Sequence, residues 1–431
     1  MTDDSAIAKV EALEILDSRG NPTVCVTVTL EGGVSASSSV PSGVSTGKRE
    51  ASELRDGDPK RYRGKGVQQA VRNVTGVLAA ALKGQDVTRQ SEIDALIREI
   101  DGSPDKSRLG ANALLGVSQA CARAGARATG QSLHAYLSGG ASSVSLPMPL
   151  VNIINGGKHA DSSLDIQEFM IVPVSATTFA EAVRCSVAVF TELKSILGSR
   201  GYTIAVGDEG GFAPLLHSEE EACETILEAV VAAGLQPGRD VALALDVAAT
   251  SLHRNGMYEM SRTGYRRPKS SDEMTALYQQ WLRKYPIVSI EDGLAEDDWD
   301  GFRTLTAKIG DSVQIAGDDL LVTHAGLIER AASEKCCNAA LIKPNQIGTV
   351  TEAIAAVDAC RKAGWRYVIA SRSGETEDSF LADFAVAMGG GQIKAGSVCR
   401  GERVAKYNRL LRIEQELAGR ARLAAWPARS R

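Results

Sequence analysis

The sequence predicts an α/β protein in which a smaller α+β block precedes a barrel of repeated strand–helix units. Two observations carry this expectation. Short apolar runs end one after another in a charged residue, the later ones at intervals of roughly 22 to 29 residues, the length of one βα unit. The first third of the chain reads differently, with alternating strand patterns followed by Ala- and Leu-rich helical ones.

In chain order, residues 8–30 alternate like paired strands about the turn Asp17-Ser18-Arg19-Gly20-Asn21-Pro22. The Gly/Ser-rich stretch Pro41–Gly47 reads as a mobile loop. Helical periodicity then occupies roughly 66–83, 89–100 and 110–129, and the block closes at Ser138-Gly139-Gly140. The expected division is 1–138 for the α+β block and 139–431 for the barrel, with Pro147 and Pro149 at its entry. The barrel runs are VALALD to Asp246, PIVSIE to Glu291, VQIAGD to Asp318, AALIK to Lys343, YVIASR to Arg372 and GQIK to Lys394. Between them, Met274, Leu277, Trp281, Leu282 and Tyr285 recur at spacings of three and four, and Thr323 and Thr349 stand where helix N-caps are expected.

Composition bounds the function. With 431 residues, 44% hydrophobic and 23% charged, the chain is globular and long enough for two or three domains. A formal net charge of −5 gives no basic footprint, so neither nucleic acid nor an anionic membrane is an expected partner. No stretch approaches the about 20 apolar residues that span a bilayer. The acidic start, Met-Thr-Asp-Asp-Ser, has no apolar region behind it and does not read as a signal peptide. Eight cysteines without a C-x-x-C pair read as reduced thiols, and the expected location is the cytoplasm.

A polar residue at the C-terminal end of a barrel strand points into the mouth where chemistry is done. Asp246, Glu291 and Asp318 end three consecutive runs and should converge. Three carboxylates with no His or Cys beside them suit Mg²⁺ better than zinc, the alternative being pairing with nearby Arg and Lys. Lys343 and Lys394 lie later around the same mouth. Beside divalent cations and another cation, a lysine is pushed down in pKa and can take the hydrogen alpha to a carboxylate. Glu168 in DIQEF and Glu209 in VGDEGGFAP are candidates to protonate a leaving hydroxyl, with Asp208 an alternative to Glu209. His159, in NGGKHAD, is either a ligand contact or a satisfied loop histidine. Gly43-Val-Ser-Thr-Gly47-Lys48-Arg49 imitates a phosphate loop but is one residue short and lacks the hydroxyl residue after Lys48.

These stretches resemble the enolase (phosphopyruvate hydratase) family along almost the whole chain. The matching motifs are DSRGNPTV (17–24), VPSGVSTG (40–47), ELRDGD (53–58), INGGKHAD (154–161), DIQEFMI (165–171), VGDEGGFAP (206–214), SIEDGL (289–294), GDD (317–319), LIK-x-NQIG (341–348), RSGETED (372–378) and RVAKYN (403–408). The resemblance implies a modified (β/α)8 TIM-like barrel behind a small α+β domain, a homodimer or higher homo-oligomer, and a small phosphorylated three-carbon acid as substrate. It implies two Mg²⁺ ions, the first on Asp246, Glu291 and Asp318, the second joined by Ser42. It also implies Lys343 as base, Glu209 as acid with Glu168 beside it, Arg372 and Ser373 on the phosphate, Lys394 on the carboxylate and His159 near the phosphate and hydroxyl end.

Three positions depart from the family pattern. Ser371 stands where the family has a catalytic-site histidine, Pro344 replaces a large apolar residue beside Lys343, and Gly401 replaces a serine. Taken together they point to a reshaped pocket, with Ser371 lining the substrate, and so to a specialised paralogue, carboxyphosphonoenolpyruvate synthase of phosphonate pathways. The alternative is an ordinary or secondary enolase dehydrating 2-phosphoglycerate. A non-catalytic enolase-derived binding protein is the third reading, which the retained Lys343, Glu209 and three carboxylates oppose.

Overall fold

The computed structural model describes residues 4–44, 46–140, 145–263, 265, 267–389 and 391–426. Ser45 of the expected mobile loop and the first three residues lie outside them.

The N-terminal block is a three-stranded antiparallel sheet, β1 (Ile7–Leu16), β2 (Pro22–Leu30) and β3 (Ser35–Ser39), packed under helices. Asp17 makes the first turn, its Oδ1 accepting the backbone N–H of Arg19 at 2.9 Å and of Asn21 at 2.8 Å. Along β2 every second residue, Val24, Val26 and Val28, is buried, as the alternation requires. The serine-rich β3 was not legible as a strand; it forms because Ala36 and Ser38 turn inward under the helix Ala111–Ala128. That helix comes close enough that a Cβ on Gly116 would stand 2.6 Å from Val26 Cγ2.

The rest closes into an eight-stranded barrel: β4 (Met148–Asn155), β5 (Glu168–Val172), β6 (Ala242–Asp246), β7 (Ile287–Glu291), β8 (Gln314–Gly317), β9 (Ala339–Ile342), β10 (Arg366–Ala370) and β11 (Gln392–Lys394), with β11 pairing back onto β4. The repeat is irregular at its start. β5 runs antiparallel to both β4 and β6, and two helices, Phe179–Ser199 and Glu219–Ala232, follow it before β6. From β6 onward each strand is followed by a helix, and all remaining neighbours are parallel.

The helix Ser271–Lys284 buries Met274, Leu277 and Trp281 against the barrel, with Tyr285 buried just beyond it. Thr349 caps its helix, accepting the N–H of Glu352 at 3.2 Å. Thr323 does not. His324 is the cap, its Nδ1 accepting from Gly326 at 3.1 Å, and Thr323 instead donates to Gln346 Oε1 at 2.7 Å and accepts the N–H of Lys343 at 2.8 Å. The N-terminal block sits on the barrel mouth: Ser42 and Gly374 exchange backbone hydrogen bonds, and Ser18 donates to the Glu375 carbonyl at 2.7 Å. All eight cysteines are free thiols. Among the described residues no helix is long and apolar enough to cross a membrane.

Candidate active site

Six side chains anticipated at strand ends do reach one mouth. Asp246, Glu291 and Lys394 end β6, β7 and β11, while Asp318, Lys343 and Arg372 lie just beyond β8, β9 and β10, and all six are buried. Glu168 joins them by a different route. It begins β5, but because β5 is reversed, Glu168 is the register partner of Asp246. His159, on the connection between β4 and β5, places its Nδ1 3.3 Å from Glu168 and 3.9 Å from Glu209.

The lysines sit inside the carboxylates. Lys394 Nζ is 2.8 Å from Asp246, 2.9 Å from Glu291 and 3.3 Å from Glu168, and Lys343 Nζ bonds Asp318. Amides complete the coordination: Gln346 donates to Asp318 Oδ1 at 2.9 Å and Gln167 to Asp246 Oδ2 at 3.2 Å. Burial pulls the Lys343 ammonium down, as do Arg372 and Lys394, but the charges of Asp318 and Glu291 outweigh them and its pKa lies above the ordinary lysine value. The downward shift expected of Lys343 belongs to the state with divalent cations beside it, whose charge would offset these carboxylates.

Burial and the charge of Asp246 push Glu291 well above the carboxylate range. Of the two candidate acids, Glu168 is raised by burial and by the charge of Glu209. Burial also pushes Glu209 upward, but Arg403, His159 and the two lysines outweigh it and its pKa falls below the ordinary value. The two members of the pair are thus pushed in opposite directions, Glu168 up and Glu209 down.

Tight donor clusters among the described residues are His159–Glu168–Glu209 and Asp292–Asp318–Asp319. Asp292 and Asp319 were not anticipated, although the doubled acids in SIEDGL and GDD carried the signal. Asp292 accepts the backbone N–H groups of Asp318 and Asp319, each at 2.8 Å, and so orients the Asp318 turn.

On the far side Arg372 forms a two-pronged pair with Glu50, at 2.9 and 3.1 Å. A Cβ on Gly43 would lie 2.0 Å from the Arg372 guanidinium, so a side chain there would displace that guanidinium from its present place. Ser373 Oγ accepts the N–H of Val44 at 3.0 Å. Ser42 is not brought to the carboxylates: its hydroxyl donates to Glu53 and accepts from Arg55, each at 3.0 Å. Lys48 and Arg49 of the imitation phosphate loop pair with Asp297 instead.

Arg403, fully buried and not singled out from the sequence, donates to the carbonyls of Arg372 and Ser373 at 2.6 Å each and to Ser371 Oγ at 3.3 Å. The other two departures are accommodated locally. Pro344 is the first residue of the helical turn Pro344–Ile347, where an N–H would have no helical partner. A Cβ on Gly401 meets nothing within 4 Å, so the serine it replaces would fit without change.

A family model described as Enolase, N-terminal domain, matches residues 7–137, and one described as Enolase, C-terminal TIM barrel domain, matches residues 143–430. The protein named Enolase 1 from Methylococcus capsulatus is 61% identical over 416 residues, covering 96% of this chain and 98% of its own length. Enolase from Desulfotalea psychrophila is 57% identical over 417 residues, again covering 96% of this chain and 98% of its own length.

Proposed function

The chain belongs to the enolase family, and from that premise we propose that it is a Mg²⁺-dependent phosphopyruvate hydratase that removes water from 2-phosphoglycerate to give phosphoenolpyruvate. The observation that carries the reading is the meeting of Lys343 and the Glu168–Glu209 pair with three buried strand-end carboxylates at one barrel mouth. This reading is favoured over the specialised paralogue because the full-length relatives are named as enolases, and Pro344 and Gly401 are accommodated by the backbone where they stand.

The donor set fits a hard divalent cation. Asp246, Glu291 and Asp318 offer only oxygens, and Glu291 is lifted by burial and then by the neighbouring charge of Asp246, a repulsion that a cation relieves. These three would hold Mg²⁺, and Ser42 would join a second ion by leaving Glu53 and Arg55. Bound there, the metal supplies Lewis-acid stabilisation of the charge that collects on the substrate carboxylate.

Lys343, parted from Asp318 and neutral, takes the hydrogen alpha to the carboxylate, and the C–H electron pair stays on carbon. That pair then forms the double bond as the C–O bond breaks, and the Glu168–Glu209 pair supplies the proton with which the hydroxyl leaves as water. Lys394 faces the substrate carboxylate, and Arg372 exchanges Glu50 for the phosphate beside Ser373. His159 lies at the hydroxyl end, and Ser371 contributes a small hydroxyl. The proposal includes a division at 1–138 and 139–431, a cytoplasmic location, no nucleic-acid or membrane partner, and a homodimer or higher homo-oligomer. Leu13 and Leu16 on β1, 63% and 56% exposed, give that association an apolar edge.

The test is purified protein with Mg²⁺ and 2-phosphoglycerate alone, followed by the ultraviolet absorbance of phosphoenolpyruvate. Steady turnover is expected; metal-bound protein with none would defeat the reading.

A further inference from the structure

The connection 156–167 between β4 and β5 carries His159 and closes on itself, Gly156 donating to the Gln167 carbonyl at 2.9 Å and Gly157 to that of Leu164 at 3.0 Å. Its outer side is held by a distant part of the chain. The Asp165 carboxylate, 3% exposed, receives three donors at one oxygen, Oδ2: the N–H of Arg262 at 3.0 Å, the N–H of Thr263 at 3.1 Å and the Thr263 hydroxyl at 2.9 Å. The same hydroxyl lies 3.2 Å from Oε1 of buried Glu219, which also accepts the N–H of Asp165 at 2.9 Å. The Arg262 guanidinium reaches back to the carbonyls of Ser162 at 2.9 Å and Gly157 at 3.3 Å. Beside this ring runs a cleft of about 270 Å³ lined by Lys158, Ser251, Arg254, Glu259 and Arg262.

The direction of support follows from which groups are buried. Asp165 cannot be left without donors, since a buried carboxylate stripped of its hydrogen bonds is costly, and the three donors to its Oδ2, two backbone N–H groups and the Thr263 hydroxyl, all come from residues 262 and 263. Exposed Arg262 adds little energy of its own, but it fixes two carbonyls on either side of His159. The connection keeps other anchors, the Asp208 N–H on the His159 carbonyl at 3.1 Å, the Ser162 hydroxyl on the Pro214 carbonyl at 3.3 Å and the buried Leu164 and Ile166, so loss of the latch loosens the segment and lowers the free energy at which it opens without unfolding it.

We propose that Arg262 and Thr263 are positioning residues for the reaction: latched onto Asp165 and onto the Gly157 and Ser162 carbonyls, they hold the His159 connection against the barrel mouth in the conformation that receives substrate. The kinetic part rests on the dehydratase reading; the latch itself does not.

The experiment compares wild type with Arg262→Ala, Thr263→Val and the hydroxyl-retaining Thr263→Ser. It reads amide hydrogen exchange across 156–166 and steady-state kinetics on 2-phosphoglycerate with Mg²⁺. Arg262→Ala and Thr263→Val should exchange faster there while the barrel helices do not. Their KM should rise about tenfold with kcat within about twofold, because substrate then selects a less populated conformation. Thr263→Ser should stay near wild type. Arg262 is exposed, so its variant keeps the fold if Thr263→Val does not. Unchanged exchange overturns the latch, and faster exchange with unchanged KM overturns its positioning role. A wild type inactive on 2-phosphoglycerate defeats the dehydratase reading instead, and the exchange comparison then decides the latch alone.

Discussion

Glu168, the first residue of its strand, faces Asp246, the last residue of the next, across an antiparallel pair, and Lys394 touches both carboxylates. The reversal of one strand thus brings a residue from the wrong end of the repeat to the barrel mouth. It also sets the electrostatics, since the lysines stand among carboxylates whose repulsion would otherwise be unrelieved.

Metal should therefore change stability as well as activity. A cation held by Asp246, Glu291 and Asp318 stabilises the folded chain by about 2.7 kcal/mol at a hundredfold excess over its Kd. Melting in Mg²⁺ should exceed melting in chelator, and Asp318→Asn should remove most of that difference. Identical melting curves with and without Mg²⁺ would mean that the three carboxylates take no cation.

Lys343→Met should lower turnover by about 10² to 10⁴-fold, the usual span for a positioned acid or base. The same variant should lose exchange of the alpha hydrogen of 2-phosphoglycerate with deuterated solvent, read by proton resonance. Exchange persisting at the wild-type rate would assign the base to another group.

How much of this was legible follows from the physics of each residue. The strand ends from Asp246 to Lys394 were readable because a βα unit has a nearly constant length, which fixes where polar side chains recur. The reversal of β5 was not, because alternation along a strand is the same in either direction. Thr323 misleads by one position: it adopts a positive φ of 56°, and the cap passes to His324, outside the usual set of capping side chains. Arg403 was missed because it acts on backbone carbonyls of a distant segment, which leave no trace in its own sequence neighbourhood.

Ser371 is predicted to matter little. Its hydroxyl accepts one long hydrogen bond from Arg403, whose same nitrogen keeps the Arg372 carbonyl at 2.6 Å. Ser371→Ala should cost about 1 kcal/mol, lowering kcat/KM about fivefold or less. A fall of a thousandfold would make the hydroxyl part of the chemistry.

Glu219 gives a stability effect with a definite sign. Burial pushes its carboxyl from 4.5 up to about 8, and Oε2 finds no hydrogen-bond partner. The folded chain therefore keeps a proton that the unfolded chain releases between pH 4.5 and about 8. The folded state binds more protons across that window, so this group's contribution to stability falls as pH rises through it and is level on either side. Glu219→Gln removes the titration while keeping an oxygen for the N–H of Asp165. Its stability relative to wild type should increase from pH 5 to pH 8 by up to a few kcal/mol, measured as the difference in urea unfolding free energy. A difference independent of pH would mean that Glu219 is ionised in the folded protein and that its burial is compensated by the donors around it.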